Sequence, residues 1–446
     1  MAKNKTQFEC ISCGYQSAKW LGKCPQCDEW NSFEETIKQK SVTVIDAGST
    51  IEVKLSDVES SNTQRFSSNL NEFDYVLGGG IVSGSSILLG GAPGIGKSTL
   101  VLQLLKEYGD KQLNGLYFCG EEAPYQIKLR AERLNCNSTN ITLSTEIELN
   151  EISRSINRIK PAIVIIDSIQ TIYNQEIDSG PGSIVQIRDC TFKLVKLCKE
   201  LAIPVIIIGH ITKEGQIAGP KILEHMVDVV LYFEGDQYSE LRLLRSNKNR
   251  YGTTNEIALF KMTAGGLKEE SDLNRYLSFN SDWGMALSCI KEGSRYLIVE
   301  IQALVSRSSY GMPQRVTQGI DQKRLNVIIA VLEKKAGLFL GDQDVFVKVS
   351  AAIKVTDPIA DMAIAAAIWS SFANKKSSTK TVYLGELSLT GQFQKIQLSS
   401  ERLREFKKYG FDRIIANSDK SQLNGSNNLR IVESIDDLND LVINHH

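Results

Sequence analysis

The chain has 446 residues, enough for several domains, and its 51 Lys and Arg against 52 Asp and Glu leave a formal net charge of −1. Bulk basicity gives no ground for nucleic-acid binding, which would have to come from local patches. No run of about 18 apolar residues exists and the start MAKNKTQFEC lacks an apolar signal core, so a soluble cytoplasmic protein without membrane contact is expected.

Four of the nine cysteines lie near the start, Cys10 with Cys13 and Cys24 with Cys27, as two C-x-x-C turns separated by ten residues. Four thiolates on two tight turns suit a tetrahedral Zn²⁺, and so short a segment could hardly fold without a metal. Two disulfides are the competing reading, which a reducing compartment disfavours. No open coordination position is implied, so the metal is structural. Cys119, Cys136, Cys190, Cys198 and Cys289 are scattered among apolar residues and read as buried thiols. Residues 1–35 are thus expected to form a C4 zinc ribbon, and the polar, Ser/Thr-rich residues 36–60 a linker.

From 61 to 270, short apolar runs alternate with helical patterns. SSILLGG (85–91), GLYFCG (115–120), PAIVIID (161–167), IPVIIIG (203–209) and DVVLYFE (228–234) are nearly all apolar, as strands of a parallel sheet covered on both faces are. Their alternation with helices such as STLVLQLLKEYG predicts a doubly wound α/β domain. From 271 to 446 a second α/β mixture follows, with alternating strands at RYLIVEIQALVS and DVFVKVSAAIKV and an Ala-rich helix from Asp357 to Phe372.

Between the first of these strands and the helix after it stands GAPGIGKST: Gly91, Ala92, Pro93, Gly94, Ile95, Gly96, Lys97, Ser98 and Thr99. This is the phosphate-binding loop pattern G-x-x-x-x-G-K-[ST] in the context that it needs. Backbone N–H groups and the helix N-terminus would cradle the phosphates of ATP, Lys97 would reach the β- and γ-phosphates, and Ser98 would ligate Mg²⁺. IVIID puts Asp167 at the carboxyl end of a buried strand, where an acid completes the Mg²⁺ shell. An N-cap aspartate before a helix is the bland alternative. Hydrolysis also needs a group that orients water. Glu121 is the first choice, with Glu122 beside it; both end a neighbouring strand, as does His210, a candidate γ-phosphate sensor.

KNRYG follows, with Lys248 and Arg250 alternating along an extended segment so that both project from one face while Asn249 points away. Gly252 allows a sharp turn or close backbone approach. The cations serve either a phosphate or a DNA strand, unless the segment is an ordinary hairpin tip.

Together, CxxCGY…KWLGKCPxCxxWNS, GSSILLGGAPGIGKST, GEE, IVIIDSIQT, GHITKEG and KNRYG resemble, in order and over nearly the whole chain, the RadA (Sms) family of bacterial DNA-repair proteins. The resemblance implies a RecA-like P-loop NTPase core behind the zinc ribbon and a Lon-protease-like α/β domain after it. It also implies a DNA-dependent ATPase acting in homologous recombination. Such proteins form hexameric rings, bind single-stranded DNA and branched intermediates, and promote branch migration with RecA.

By the same resemblance, Lys248 and Arg250 would reach the γ-phosphate of ATP bound to a neighbouring subunit. Loops Asn174–Arg188 and Lys213–Lys221 would line a DNA channel with Arg188, Lys213 and Lys221, and their Gly/Pro punctuation fits mobile segments. In the Lon-like domain, Ile359 stands in the place of the nucleophilic serine and Arg402 in that of the lysine. Neither can do that chemistry, so a scaffold without peptidase activity is expected. The rival readings are an ATP-dependent Lon-type protease and a KaiC-like ATP switch.

Overall fold

The structure is a computed structural model that describes residues 6–10, 15–17, 19–25, 29–37, 65–210, 220–235, 240–270, 277, 282–308, 311–350, 353–376, 380–411, 413–419 and 428–443. The chain divides into two compact units, Met1–Glu234 with Leu243–Glu269, and Gly235–Arg242 with Glu270–His446. No described helix is long and apolar enough to cross a membrane.

The N-terminal segment is a three-stranded antiparallel sheet, with β1 (Thr6–Cys10) between β2 (Gln16–Ser17) and β3 (Phe33–Ile37). Its small core is Cys10, Cys24 and Phe33, with Phe8 and Leu21 packed alongside.

After a short pair formed by β4 (Arg65–Phe66) and β5 (Ile81–Val82), with α1 (Asn71–Val76) between them, a nine-stranded sheet follows. In chain order it contains β6 (Ser86–Gly91), β7 (Gly115–Cys119), β8 (Ile141–Ser144), β9 (Ile163–Asp167), β10 (Val205–His210), β11 (Val229–Glu234), β12 (Leu241–Asn249), β13 (Ile257–Thr263) and β14 (Gly266–Glu269). The spatial order is β14-β13-β12-β11-β6-β10-β9-β7-β8, and the six strands from β11 to β8 run parallel. Crossovers are α2 (Lys97–Asp110), α3 (Pro124–Arg133), α4 (Leu149–Ile159), α5 (Ile184–Glu200) and the short α6 (Pro220–Glu224).

The apolar strands are covered on both faces, because alternate residues enter two separate cores. Leu89, Tyr117, Ile165 and Ile208 join Leu100 and Leu104 of α2 and Ile127 of α3 in one. Leu88, Phe118, Ile166 and Ile207 join Ile152 of α4 and Leu194 of α5 in the other. The five scattered cysteines are all buried, as expected.

The second unit holds a seven-stranded mixed sheet. Its strands are β15 (Met285–Glu292), β16 (Arg295–Arg307), β17 (Arg315–Gln318), β18 (Gln343–Val349), β19 (Thr381–Leu384), β20 (Arg413–Ala416) and β21 (Asn428–Ile431), in the order β17-β18-β16-β15-β19-β20-β21. Beside α7 (Gln322–Ala336), α9 (Ser400–Tyr409) and α10 (Ile435–Ile443), the Ala-rich α8 (Asp361–Ala373) is buried almost all round; its small side chains let it lie close against β15 and β16. The strand expected at DVFVKVSAAIKV ends at Val349, and the Ala-rich helix opens with a 3-10 turn at Pro358–Ala360.

Candidate functional site

Strand order and register build one site at the carboxyl ends of the parallel strands. Gly91 ends β6, and the register sets His210 of β10 opposite it; the His210 side chain is outside the described part. Between β6 and α2, Ala92, Pro93 and Gly94 form an exposed tip and Ile95 is buried beneath it. Gly94 and Gly96 have φ of 74° and 120°, so the backbone itself favours glycine at both positions. Thr99 lies in the first turn of α2.

Lys97 is buried, and its Nζ donates to the carbonyl oxygens of Gly91 (2.8 Å) and Ala92 (3.0 Å). Burial pushes its ammonium down to about 8, against the opposing pull of Asp167 and Glu121. Ser98 Oγ donates to Asp167 Oδ2 at 2.8 Å. The same oxygen accepts from the hydroxyl of Tyr117, a fully buried β7 residue. Burial raises the Asp167 pKa, while these two hydrogen bonds oppose the rise. Asp167 is therefore no helix cap; it is a buried carboxylate tied to the residue after the P-loop lysine.

The two glutamates have different surroundings. Register pairs Cys119 with Asp167, so the residues after β7 lie beside the acid. Glu121 Oε1 accepts from Ser168 Oγ. Glu122 Oε1 instead accepts from Arg130 Nη2 of α3 at 2.8 Å. Tyr117, Ser168 and Arg130 were missed in the sequence reading, although a tyrosine inside an all-apolar buried strand was a usable signal, since a buried hydroxyl needs a partner.

A lysine, a serine, a buried aspartate and a neighbouring glutamate thus converge on a loop of upturned backbone that opens a helix. This donor set fits a magnesium-bound triphosphate: cation and amides for the phosphates, hydroxyl and carboxylate for the metal.

KNRYG lies at the other end of the sheet. Val229 pairs with both Ile87 near the start of β6 and Asn249 of β12, so Asn249 is level with a point four residues, roughly 13 Å along the strand, before Gly91 and the P-loop. Lys248 Nζ donates to the carbonyls of Glu224 and Val227, both at 2.8 Å, and so caps the end of α6. Arg250, 56% exposed, makes a 3.2 Å ion pair with buried Asp228, whose other carboxylate oxygen accepts from Ser86 N and Oγ. Asn249 is turned inward onto Val76 O. A Cβ on Gly252 would lie 3.1 Å from Gly78 Cα, so this glycine serves a close backbone approach.

Of the candidate DNA cations, Arg188 is exposed in α5. Lys213 lies outside the described residues, as does the side chain of Lys221 in α6. The stretch after Asn174 is more tightly held than its Gly/Pro content implied, because buried Gln186 donates to the carbonyls of Asn174, Ile177 and Ser179.

In the ribbon, Cys10 and Cys24 are buried, and each donates its N–H to the carbonyl five residues on, Tyr15 and Glu29, both at 2.9 Å. Two equivalent hydrogen bonds, one beside each C-x-x-C pair, fit the two halves of a tetrahedral zinc site. Cys13 and Cys27 lie outside the described residues.

In the second unit, Ile359 is buried in its 3-10 turn. Arg402 of α9 is also buried, with Nη2 4.0 Å from Asp357 Oδ2 and its guanidinium 4.8 Å from the Tyr296 ring. The fold brings the two Lon-like stretches together, with neither a nucleophile at 359 nor a lysine at 402.

Family models match three segments: the Rubredoxin metal binding domain at residues 8–35, KaiC at 66–155 and subunit ChlI of Mg-chelatase at 304–420. A KaiC-like protein from Pyrococcus horikoshii OT3 aligns with a TM-score of 0.39 and 19% identity, covering 47% of this chain and 100% of its own. The DNA repair protein RadA of Campylobacter jejuni is 47% identical over 94% of this chain and 95% of its own length. The Bacillus subtilis DNA repair protein RadA is 43% identical over 93% of each. With a zinc ribbon, a RecA-like ATPase core and a Lon-protease-like α/β domain in that order, the chain belongs to the RadA family of DNA repair proteins.

Proposed function

We propose that this chain is a DNA-dependent ATPase of DNA repair, a ring-forming motor that binds single-stranded DNA and drives branch migration of recombination intermediates together with RecA. The observation that carries the ATPase is the Lys97–Ser98–Asp167 constellation with Glu121 beside it. Magnesium-bound ATP supplies the phosphoanhydride whose cleavage drives the motor. Lys97 would neutralise phosphate charge, and Ser98 with Asp167 would hold the metal. Glu121, anchored by Ser168, orients the attacking water, whereas the charge of Glu122 is taken up by Arg130.

Arg250 is the stronger of the two trans cations because half its side chain is exposed, while Lys248 is held on the carbonyls of Glu224 and Val227. His210, at the strand edge beside the P-loop, would sense the γ-phosphate. Arg188, Lys213 and Lys221 would contact DNA phosphates. Cys10, Cys13, Cys24 and Cys27 would hold a structural zinc, and residues 271–446 would act as a scaffold without peptidase activity.

ATP hydrolysis with and without single-stranded DNA, in wild type and Lys97→Ala, tests the proposal. DNA-stimulated turnover that Lys97→Ala abolishes is expected. Unchanged hydrolysis in Lys97→Ala overturns the nucleotide site, turnover indifferent to DNA favours a KaiC-like switch, and ATP-dependent casein degradation favours a protease.

A further inference from the structure

We propose that Tyr117 is a positioning residue for the metal–nucleotide complex: its hydroxyl holds the Asp167 carboxylate in the orientation that the magnesium shell requires. This rests on the nucleotide site proposed above and assigns a role to a residue outside the P-loop.

Tyr117 lies in the middle of β7 and is 0% exposed, in a core that also holds Tyr108, whose buried hydroxyl has no hydrogen-bond partner among the described residues, whereas that of Tyr117 has one. Its neighbours Leu116 and Phe118 face the opposite core and are purely apolar. A phenylalanine would fill the same volume without the cost of burying a hydroxyl, so the oxygen is there for its partner. That partner is Asp167 Oδ2 on the adjacent β9.

The two donors to Asp167 are not equivalent. Ser98 belongs to the P-loop and would also serve the metal, so its hydroxyl has two tasks. Tyr117 stands on a rigid central strand and has only the carboxylate to hold. Both donors fall on Oδ2, and no described residue donates to Oδ1. One oxygen is pinned by the protein and the other is left for the metal's shell. Groups that orient a metal's acid ligands in this way contribute strongly to metal affinity although they never touch the ion.

The test titrates binding of a fluorescent ATP analogue to the full chain, first in EDTA and then against Mg²⁺. Tyr117→Phe is expected to raise the Mg²⁺ concentration for half-maximal binding about tenfold, with metal-free affinity within about twofold of wild type. An unchanged magnesium requirement, or an equal loss with and without metal, overturns the proposal. If Tyr117→Phe fails to fold, Tyr117→Leu is read by the same two titrations, and failure of both to fold assigns the hydroxyl to stability alone. Wild type without magnesium-dependent binding would instead refute the nucleotide site itself.

Discussion

Arg250 pairs with Asp228 across 3.2 Å at the end of the central sheet opposite the P-loop, and Asp228 in turn accepts from Ser86, the first residue of the strand that carries that loop. Arg250 is therefore out of reach of nucleotide in its own subunit. In the proposed ring, its ATP contact would be with a neighbour's.

Arg250→Ala is accordingly expected to lower ATP turnover by about 10³-fold, the scale of a charge-neutralising finger supplied in trans. Mixing Arg250→Ala subunits into wild type should depress turnover beyond simple dilution. If mixing dilutes activity linearly, or if basal turnover persists and only DNA stimulation is lost, Arg250 is a DNA contact instead.

The two glutamates should separate kinetically. Glu121→Gln is expected to cost about 10²–10³-fold in single-turnover hydrolysis while nucleotide binding persists, because it removes a water-orienting carboxylate. Glu122→Gln disturbs the Arg130 pair on the protein side and should cost less than about tenfold. A reversed ranking would move the role to Glu122.

Lys97 gives the site a pH signature. Burial takes its ammonium from the ordinary value of 10.5 down to about 8. Between those values the folded, nucleotide-free chain binds fewer protons at this site than the unfolded chain, so the Lys97 contribution makes stability rise with pH across that window. Phosphates favour the charged lysine, so nucleotide binding should take up a proton above about pH 8, and affinity should fall as pH rises through that value. Calorimetry at about pH 9 in buffers of different ionisation heat measures the uptake, which should vanish in Lys97→Met. Zero uptake in wild type would contradict the burial argument.

Zinc removal should act on the ribbon. Cys24 is fully buried at the centre of a core of only a few residues, so Cys24→Ser is expected to bring the zinc-to-protein ratio close to zero and to unfold residues 6–37. Zinc analysis with limited proteolysis of that segment checks it; full zinc content in Cys24→Ser would exclude Cys24 as a ligand.

Much of the site was legible because its chemistry is local in sequence. Backbone cradles need glycines at set spacing, so Gly91 to Thr99 declare themselves, and C-x-x-C turns do the same for Cys10 and Cys24. Apolar runs alone implied the strands, and through them Asp167 and Glu121 at carboxyl edges. Side-chain contacts between separate elements were not legible: Tyr117 with Asp167, Arg130 with Glu122, Arg250 with Asp228, and Gln186 under the loop after Asn174.

Sequence by itself determined the order of domains, the P-loop pattern and the acid at the carboxyl end of β9, because these depend on residue type and on spacing along one or two elements. Tertiary structure alone decided which glutamate is left to face Ser168 and that Lys248 caps a helix. It also decided that KNRYG lies toward the end of the central strands opposite the P-loop. Those outcomes depend on strand order and register, which bring together residues tens to hundreds of positions apart and which no local pattern encodes.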